Sequence, residues 1–427
     1  MAQEGSQAAV QAKVGFLNRL HSEFGFIRGN FLILVLSWIL MDFAREMPST
    51  YYGLYVRALG GSAATIGLIG FVSMIAQSLV QFPGGYLADK YGRKWLISTM
   101  TFGVALSYAF YALASSWQTI MLGAIISSLC MIYNPALNAM IMDSLPQDRR
   151  GMGFSIMNLI NSVSTTPAPL IAGWLFMELG LIPSMRVGYG LVVVAFLVAG
   201  VLRFRLEETV KEPATINGRE LAMAFPRSVT EGMRVWETVP RSALILFITV
   251  VIVNFSYSLF QPVLLLYIVD DLGISEVNWA IIMTVLFVSM IALAIPLGKL
   301  IDRVGKKGPL LVSYLIWILI MPLLLYGDFF KLLVGMPVIG VLQILGNAGS
   351  SALFADLIPK ENRGKVSGSM RFFTLVASAF GNLVGGFMYD DVSHTLPFLS
   401  QIVFITPVLL LTLIFIKEPK KDEINGA

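Results

Sequence analysis

The sequence predicts an all-α membrane protein: twelve transmembrane helices arranged as two six-helix bundles related by a parallel repeat. Three observations carry that expectation. The 427 residues are 56% hydrophobic and only 13% charged, about half the charged fraction of a soluble domain. The apolar residues fall in runs long enough to cross a bilayer, which takes about 20 residues per helix. Positions 213 apart match one another without gaps in four separated places.

Punctuation by Gly, Pro and charge divides the apolar runs into spans 30–57, 64–88, 94–114, 118–145, 151–179 and 184–206. A second set follows at 241–270, 276–301, 308–327, 331–358, 364–389 and 395–417. These are spans 1 to 12. They define an N-terminal segment (1–29), a first bundle (30–206), a linker (207–240), a second bundle (241–417) and a tail (418–427). The linker is polar, charged and Pro-bearing, and reads as a solvated loop rather than a short amphipathic surface helix. Residues 1–29 lack an apolar core followed by a small-residue cleavage site, so no cleaved signal peptide is expected.

Loop charge sets the orientation. Lys90, Arg93, Lys94, Arg149, Arg150, Lys299, Arg303, Lys306, Lys307, Lys360, Arg363 and Lys365 lie in short loops on one side. Only Arg57, Arg186 and Lys331 lie on the other. By the positive-inside rule the basic side, the linker and both termini are expected to be cytoplasmic, in a multi-pass protein of the cell (inner or plasma) membrane. The net charge of +4 is accounted for in the same way, and no nucleic-acid partner is expected. Membrane lipid surrounds the spans. The lone Cys130 rules out an intramolecular disulfide. The two histidines, His21 and His394, lie outside the apolar runs, which excludes a histidine metal or proton site within the membrane. No Walker A sequence and no nucleophile–base constellation appears, so neither ATP-driven transport nor an enzyme is expected. No cofactor or metal is expected.

The repeat is carried by chemistry-bearing positions. Pro83 pairs with Pro296, Gly85 with Gly298, Asp89 with Asp302, Gly92 with Gly305, Arg93 with Lys306, and Lys94 with Lys307. Further on, Asp143 pairs with Asp356, Arg150 with Arg363, Asn134 with Asn347, and Gly173 with Gly386. Two halves in one orientation are the arrangement of carriers that rock about a central cavity.

The stretch "GGYLADKYGRK" at 84–94 resembles the loop motif of the major facilitator superfamily. That motif is Gly, three residues, Asp, a basic residue, any residue, Gly, then two basic residues. It matches at Gly85, Asp89, Lys90, Gly92, Arg93 and Lys94, and its second copy at Gly298, Asp302, Arg303, Gly305, Lys306 and Lys307. The twelve-span pattern extends the likeness over roughly 30–417. The resemblance implies that the cluster latches the cytoplasmic side when the cavity opens outward. Physically, the glycines permit close helix approach, Asp89 suits a helix N-terminus, and Arg93 and Lys94 suit acids such as Asp143 or lipid phosphates. A plain topology signal with a tight turn is the simpler alternative.

Span 1 carries "SWILMDFAREMPSTYYGLY". Asp42, Arg45 and Glu46 share one helical face at i, i+3 and i+4, extended by Ser49. Asp42 is 12 residues beyond Asn30, about 18 Å along a helix and near mid-membrane. Charges there cost about 2.5–3.5 kcal/mol each even on insertion scales, so they are paired and line a cavity. Two acids share one arginine, and the carboxylate left over is what a proton-coupled carrier uses. Glu46 is read as the titrating group and Asp42 as the partner of Arg45, with the reverse open. A static network that fixes helix packing is the other reading. At offset 213 the positions are Phe255, Ser258 and Leu259, so the fold itself does not require the charges.

Further polar groups are expected to face the cavity: Gln77, Asn134, Asn138, Asn158, Asn254, Tyr257, Gln261, Gln343, Asn347 and Arg371. The other reading is ordinary interhelical hydrogen bonding. "APLIAGWL" in span 5 resembles the family's antiporter motif, degenerate at Ala168 and Ala172. Proton antiporters of the family place an arginine in span 4, where this chain has Gly123. The expected function is a secondary transporter working by alternating access. It is expected to export small amphipathic or cationic organic compounds against protons, with a monomer as the default. The alternatives are a proton symporter importing a sugar or organic acid, and a non-transporting membrane receptor on a carrier fold.

Overall fold

The computed structural model describes residues 26–146, 150–210, 218–359 and 362–418. Among the described residues ten helices are long and apolar enough to cross a membrane. Span 1 is absent from that set because three charges interrupt it. Span 5 is absent because it is broken into Arg150–Thr165 and Ala168–Leu179, where Pro167 cannot continue the hydrogen-bond ladder. With these two the sequence-read order of twelve spans is complete, each close to its expected limits.

Span 1 runs Gly29–Ser49 and resumes as Tyr52–Ala58, bending where Pro48 enters its last turn. Its repeat counterpart, span 7, likewise breaks at a 3-10 turn, Gln261–Val263, between Arg241–Phe260 and Leu264–Asp270. Span 4 breaks at Met131–Tyr133 ahead of Pro135. Spans 2 (Ala63–Tyr91), 8 (Glu276–Val304) and 10 (Phe329–Leu357) are continuous rods of 29 residues. Such a rod is about 43 Å long, enough to project beyond a hydrocarbon core of about 30 Å. Spans 3 (Arg93–Ala112), 6 (Leu181–Arg203), 9 (Lys307–Tyr326), 11 (Arg363–Phe387) and 12 (Leu396–Phe415) complete the bundles.

Within each half the outer spans stack on the inner ones, and the two halves meet along spans 2 and 11 and along spans 5 and 8. These seams are small-residue contacts and they repeat. A Cβ on Gly67 would lie 2.3 Å from the Asn382 carbonyl oxygen, and one on Gly386 2.6 Å from the Ala63 carbonyl. A Cβ on Gly173 would lie 3.0 Å from the Ala280 methyl. Gly173 and Gly67 become Gly386 and Ala280 on adding 213, so the same pair of positions serves both seams with the halves exchanged. Without a hydrophobic driving force between helices in lipid, close backbone approach of this kind is what holds spans together. Outward faces are apolar: Leu319, Val334 and Val403 are each about two-thirds exposed or more, as lipid contact requires.

The linker departs from the solvated-loop expectation. Gly218–Arg234 is an α-helix. Its Phe225 ring sits 6.1 Å from Phe82 of span 2 and 5.9 Å from Phe372 of span 11, which are themselves 5.5 Å apart. Just beyond, the Trp236 indole donates to Ser369 Oγ, and Ser369 Oγ donates to the Gly232 carbonyl. A polar composition averaged over 34 residues hides one aromatic face that both bundles bury.

Candidate substrate cavity and its two ends

The end of the molecule opposite the linker is closed by contacts between the bundles. Arg57, at the end of span 1, forms an ion pair with Asp270, at the end of span 7. The two are repeat equivalents, 213 apart. A two-fold relation brings equivalent positions near its axis face to face, and here they carry opposite charge. Tyr51 Oη donates to the Glu276 carbonyl, and the Ala64 N–H donates to Asp390 Oδ2 at 2.6 Å. Asp271 in turn accepts from Tyr389 Oη and holds the His394 ring, which stacks on Tyr389. His21 and the tail from 419 onward lie outside the described residues.

Toward the linker end, polar groups at membrane depth stay exposed. The Arg45 side chain is 52% exposed, and Asn138, Asn347 and Arg371 on the linker-side halves of spans 4, 10 and 11 are exposed as well. The cavity between the bundles therefore opens at this end.

The central cavity has a volume of about 700 Å³. Glu46 and Ser49 line it from the first bundle, and Asn254, Tyr257, Gln261 and Gln343 from the second. Asn347 lines a contiguous pocket within the second bundle. Gln77, Asn134, Asn138 and Arg371 stand outside the lining of the central cavity. The side chain of Asn158 lies outside the described residues.

The three charges of span 1 are held differently. Asp42 Oδ1 accepts from Arg45 Nη2 at 3.4 Å, and Asp42 Oδ2 accepts from Asn161 Nδ2 of span 5 at 2.6 Å. Glu46 Oε1 accepts from Ser49 Oγ at 2.9 Å. Both oxygens of Asp42 are thus engaged, while Glu46 faces the cavity. Asn161 was not among the sequence candidates; it sits one turn beyond Asn158 on the same face, and only the packing of span 5 on span 1 distinguishes the two. Arg203 was missed as well. It is wholly buried inside the first bundle, donating from Nε to Ser37 Oγ and from Nη1 to Thr101 Oγ1, with its guanidinium over the Tyr133 ring. Gly123 has no room for the family's span 4 arginine. A Cβ there would lie 2.8 Å from the Ser107 carbonyl and 2.9 Å from the Tyr111 ring.

The loop motifs are built as two copies of one device. Arg93 pairs with Asp143, and Lys306 with Asp356, each joining the start of an odd span to the end of the next. Gly92 and Gly305 have φ of +100° and +93°, a region that favours glycine. A Cβ would also strike Glu208 Oε2 at 2.7 Å or Glu418 Oε2 at 3.1 Å. Glu208 accepts from the N–H groups of Arg93 and Lys94, and Glu418 from those of Lys306 and Lys307. A carboxylate thus occupies the positive end of each following helix. The offset between them is 210, which is why the 213 register did not find them. Elsewhere in the motifs, Lys90 Nζ lies over the Tyr86 ring, and Arg363 donates to the Ala355 and Ile358 carbonyls that end span 10. Gly85 and Gly298 have open space where a Cβ would sit. The side chains of Asp89, Arg150 and Asp302 lie outside the described residues.

Burial alone would raise the pKa of Glu208, but backbone N–H bonds from Arg93, Val210, Lys94 and Thr209 outweigh it and hold the group below the usual carboxylate range. A depressed folded-state value contributes stability above the unfolded value of about 4.3 and loses it as pH falls through the folded value. Glu208→Gln is expected to lower stability by about 1 kcal/mol at pH 7, discounted for its partial exposure. The difference from wild type should shrink below about pH 4. Thermal unfolding of the two proteins across that range measures it; a penalty unchanged at low pH would sink the helix-terminus account.

Two bundles of six, repeated in parallel around a central cavity, define a membrane carrier. The Major Facilitator Superfamily model matches residues 34–249 and again 246–427. The chain belongs to this family and is a membrane transporter. It is 23% identical over 398 residues to the multidrug resistance protein MdtG of Citrobacter koseri, with 90% of this chain and 93% of that one covered. With the protein of the same name from Dickeya zeae it shares 24% over 383 residues, covering 86% and 88%. Among solved structures it resembles the nucleoside transporter NupG, with a TM-score of 0.70, 17% identity, and coverage of 91% of this chain and 100% of that one. A peptide transporter of the POT family bound to sulfate gives 0.68, 15%, 91% and 94%.

Proposed function

We propose that this protein exports small amphipathic cations in exchange for protons by alternating access between its bundles. One observation carries the reading: Glu46 is the acid in the lining of the central cavity, while Asp42 is engaged by Arg45 and Asn161. A single carboxylate binds a cation or a proton, not both, and that exclusion couples the two flows. With the linker end taken as cytoplasmic, a deprotonated Glu46 receives the cation there. Rocking breaks the Arg57–Asp270 seam and opens the far end. A proton from outside then displaces the substrate, and the protonated carrier returns. The MdtG relatives are named multidrug resistance proteins, which supports drug-like organic compounds as the substrates. An importer of an organic acid would use a cation such as Arg371, which is not in the lining of the central cavity. Both termini are assigned to the cytoplasm and the unit is taken as a monomer.

A ligand panel read by thermal shift, at pH 5.5 and 7.5, on wild type and Glu46→Gln, tests this. Lipophilic cations should stabilise the wild type more at pH 7.5, because a ligand that binds the folded state raises its stability. That pH effect should vanish in the variant. Stabilisation by sugars or organic acids, strongest at pH 5.5, would transfer the reading to the symporter.

A further inference from the structure

The second bundle contains a pocket of about 330 Å³ between spans 7, 9, 10 and 12, contiguous with the central cavity through Asn254, Tyr257, Trp317 and Gln343. Among the described residues no charged side chain lines it. Its polar character comes from carboxamides and hydroxyls, and its aromatic wall from Tyr257 and Trp317, whose rings lie 6.3 Å apart. Some of these groups are already committed. Gln401 is wholly buried, accepting from Ser256 Oγ and donating to the Ser256 and Pro397 carbonyls. Asn254 donates to the Val250 carbonyl of its own helix. Gln343 and Asn347, one turn apart on span 10, remain as the carboxamide face toward the void.

The fold does not demand this pocket. Subtracting 213 from Asn254, Tyr257, Trp317 and Gln343 gives Met41, Ala44, Val104 and Cys130. Met41, Ala44 and Val104 are buried core in the first bundle. The first bundle packs this place shut, with Met41, Ala44 and Val104 and with the buried Arg203 on Ser37, Thr101 and Tyr133, while the second leaves a neutral, polar, aromatic-walled space. Carboxamides each present a donor and an acceptor, aromatic faces take planar rings, and an uncharged lining disfavours a desolvated charge. The volume is at the small end of ligand pockets, about 300–1,000 Å³, so it suits part of a molecule.

We propose that this pocket binds the uncharged planar ring of the substrate, hydrogen-bonded along one edge by Gln343 and Asn347 and packed on Trp317, while the substrate's cationic nitrogen stays at Glu46. The substrate class is thereby narrowed to monocations carrying a neutral aromatic or heteroaromatic ring. The ring site stands on the pocket; only the placement of the nitrogen rests on the function proposed above.

Two probes separate them on the purified full-length protein, read by tryptophan fluorescence and calorimetry. Acridone is a neutral tricycle with an N–H and a carbonyl; tetrabutylammonium is a cation without a ring. Acridone should bind wild type and Glu46→Gln alike and lose at least about tenfold in affinity in Gln343→Leu and Asn347→Leu, the loss of one or two hydrogen bonds. Tetrabutylammonium should do the opposite, and its retained binding shows that the leucine variants are folded. Acridone that fails to bind wild type, or binds the leucine variants as well as wild type, overturns the ring site. An acridone pattern as expected with tetrabutylammonium indifferent to Glu46→Gln leaves the ring site standing and removes the Glu46 reading instead.

Discussion

Glu46→Gln is expected to abolish proton-driven accumulation of substrate while leaving the fold intact. A carboxamide cannot exchange a proton, so no gradient can act through it. The cation also loses a charge-assisted contact of about 1.5–3 kcal/mol, or roughly ten- to a hundredfold in affinity. Glu46→Asp keeps the proton site and should retain measurable transport. Asp42→Asn is expected to impair transport by a different route. Without Asp42 to engage it, Arg45, the residue next to Glu46 in the chain, is free to turn and neutralise it. Gradient-driven uptake into inverted vesicles measures all three. Full activity in Glu46→Gln would make the span 1 charges a packing network.

The second large effect is expected at the seam between the bundles. In Gly67→Leu even the first side-chain carbon falls 2.3 Å from the Asn382 carbonyl. Backbone cannot yield as a flexible side chain does, so spans 2 and 11 must part at the closed end. Overpacking of this kind costs typically 1–3 kcal/mol. Charged against the state closed at the far end, it moves the equilibrium toward the opposite opening by about tenfold or more. Spin labels at the exposed far-end positions Leu113 and Val392, in a Cys130→Ser background, report it as a distance. A distribution shifted to longer separation is expected. An unshifted distribution with lowered thermal stability would mean that Gly67 serves packing within one state only.

The sequence made the spans legible because lipid enforces a simple rule of apolar length, and it made the halves legible because they share one register. The bend of span 1 was readable from Pro48, and the Arg57–Asp270 pair lay in plain sight at offset 213. What stayed hidden depends on contacts rather than on periodicity. Asn158 and Asn161 share one face, and only the approach of span 5 to span 1 selects Asn161 for Asp42. Glu208 lies five residues past the end of span 6 and Glu418 three past the end of span 12, so a strict register passes over them. Arg203 ends an apolar span like any interfacial arginine, and its burial against Ser37, Thr101 and Tyr133 has no local signal. The linker helix was lost in a composition dominated by charge, although Phe225 and Trp236 are the residues that dock it.

Under the alternating access proposed above, the glycine pairs and the exchanged seams serve both states of the chain. Positions that touch in the first-to-second direction touch again in the second-to-first, so a rotation that loosens one seam loosens its mate at the same height. A rocking motion then meets a symmetric barrier. The charges of span 1 and the side pocket of the second bundle are the asymmetric additions. They mark where the two halves have been given different work: charge on one wall, a neutral ring site on the other.

Reconstituted vesicles carrying a pH-sensitive dye inside test the central claim most directly. A lipophilic ring-bearing cation added outside should be taken up with a simultaneous efflux of protons, seen as a rise in internal pH, in wild type but not in Glu46→Gln. Substrate uptake of equal rate in both proteins, with no change of internal pH, would contradict proton exchange at Glu46.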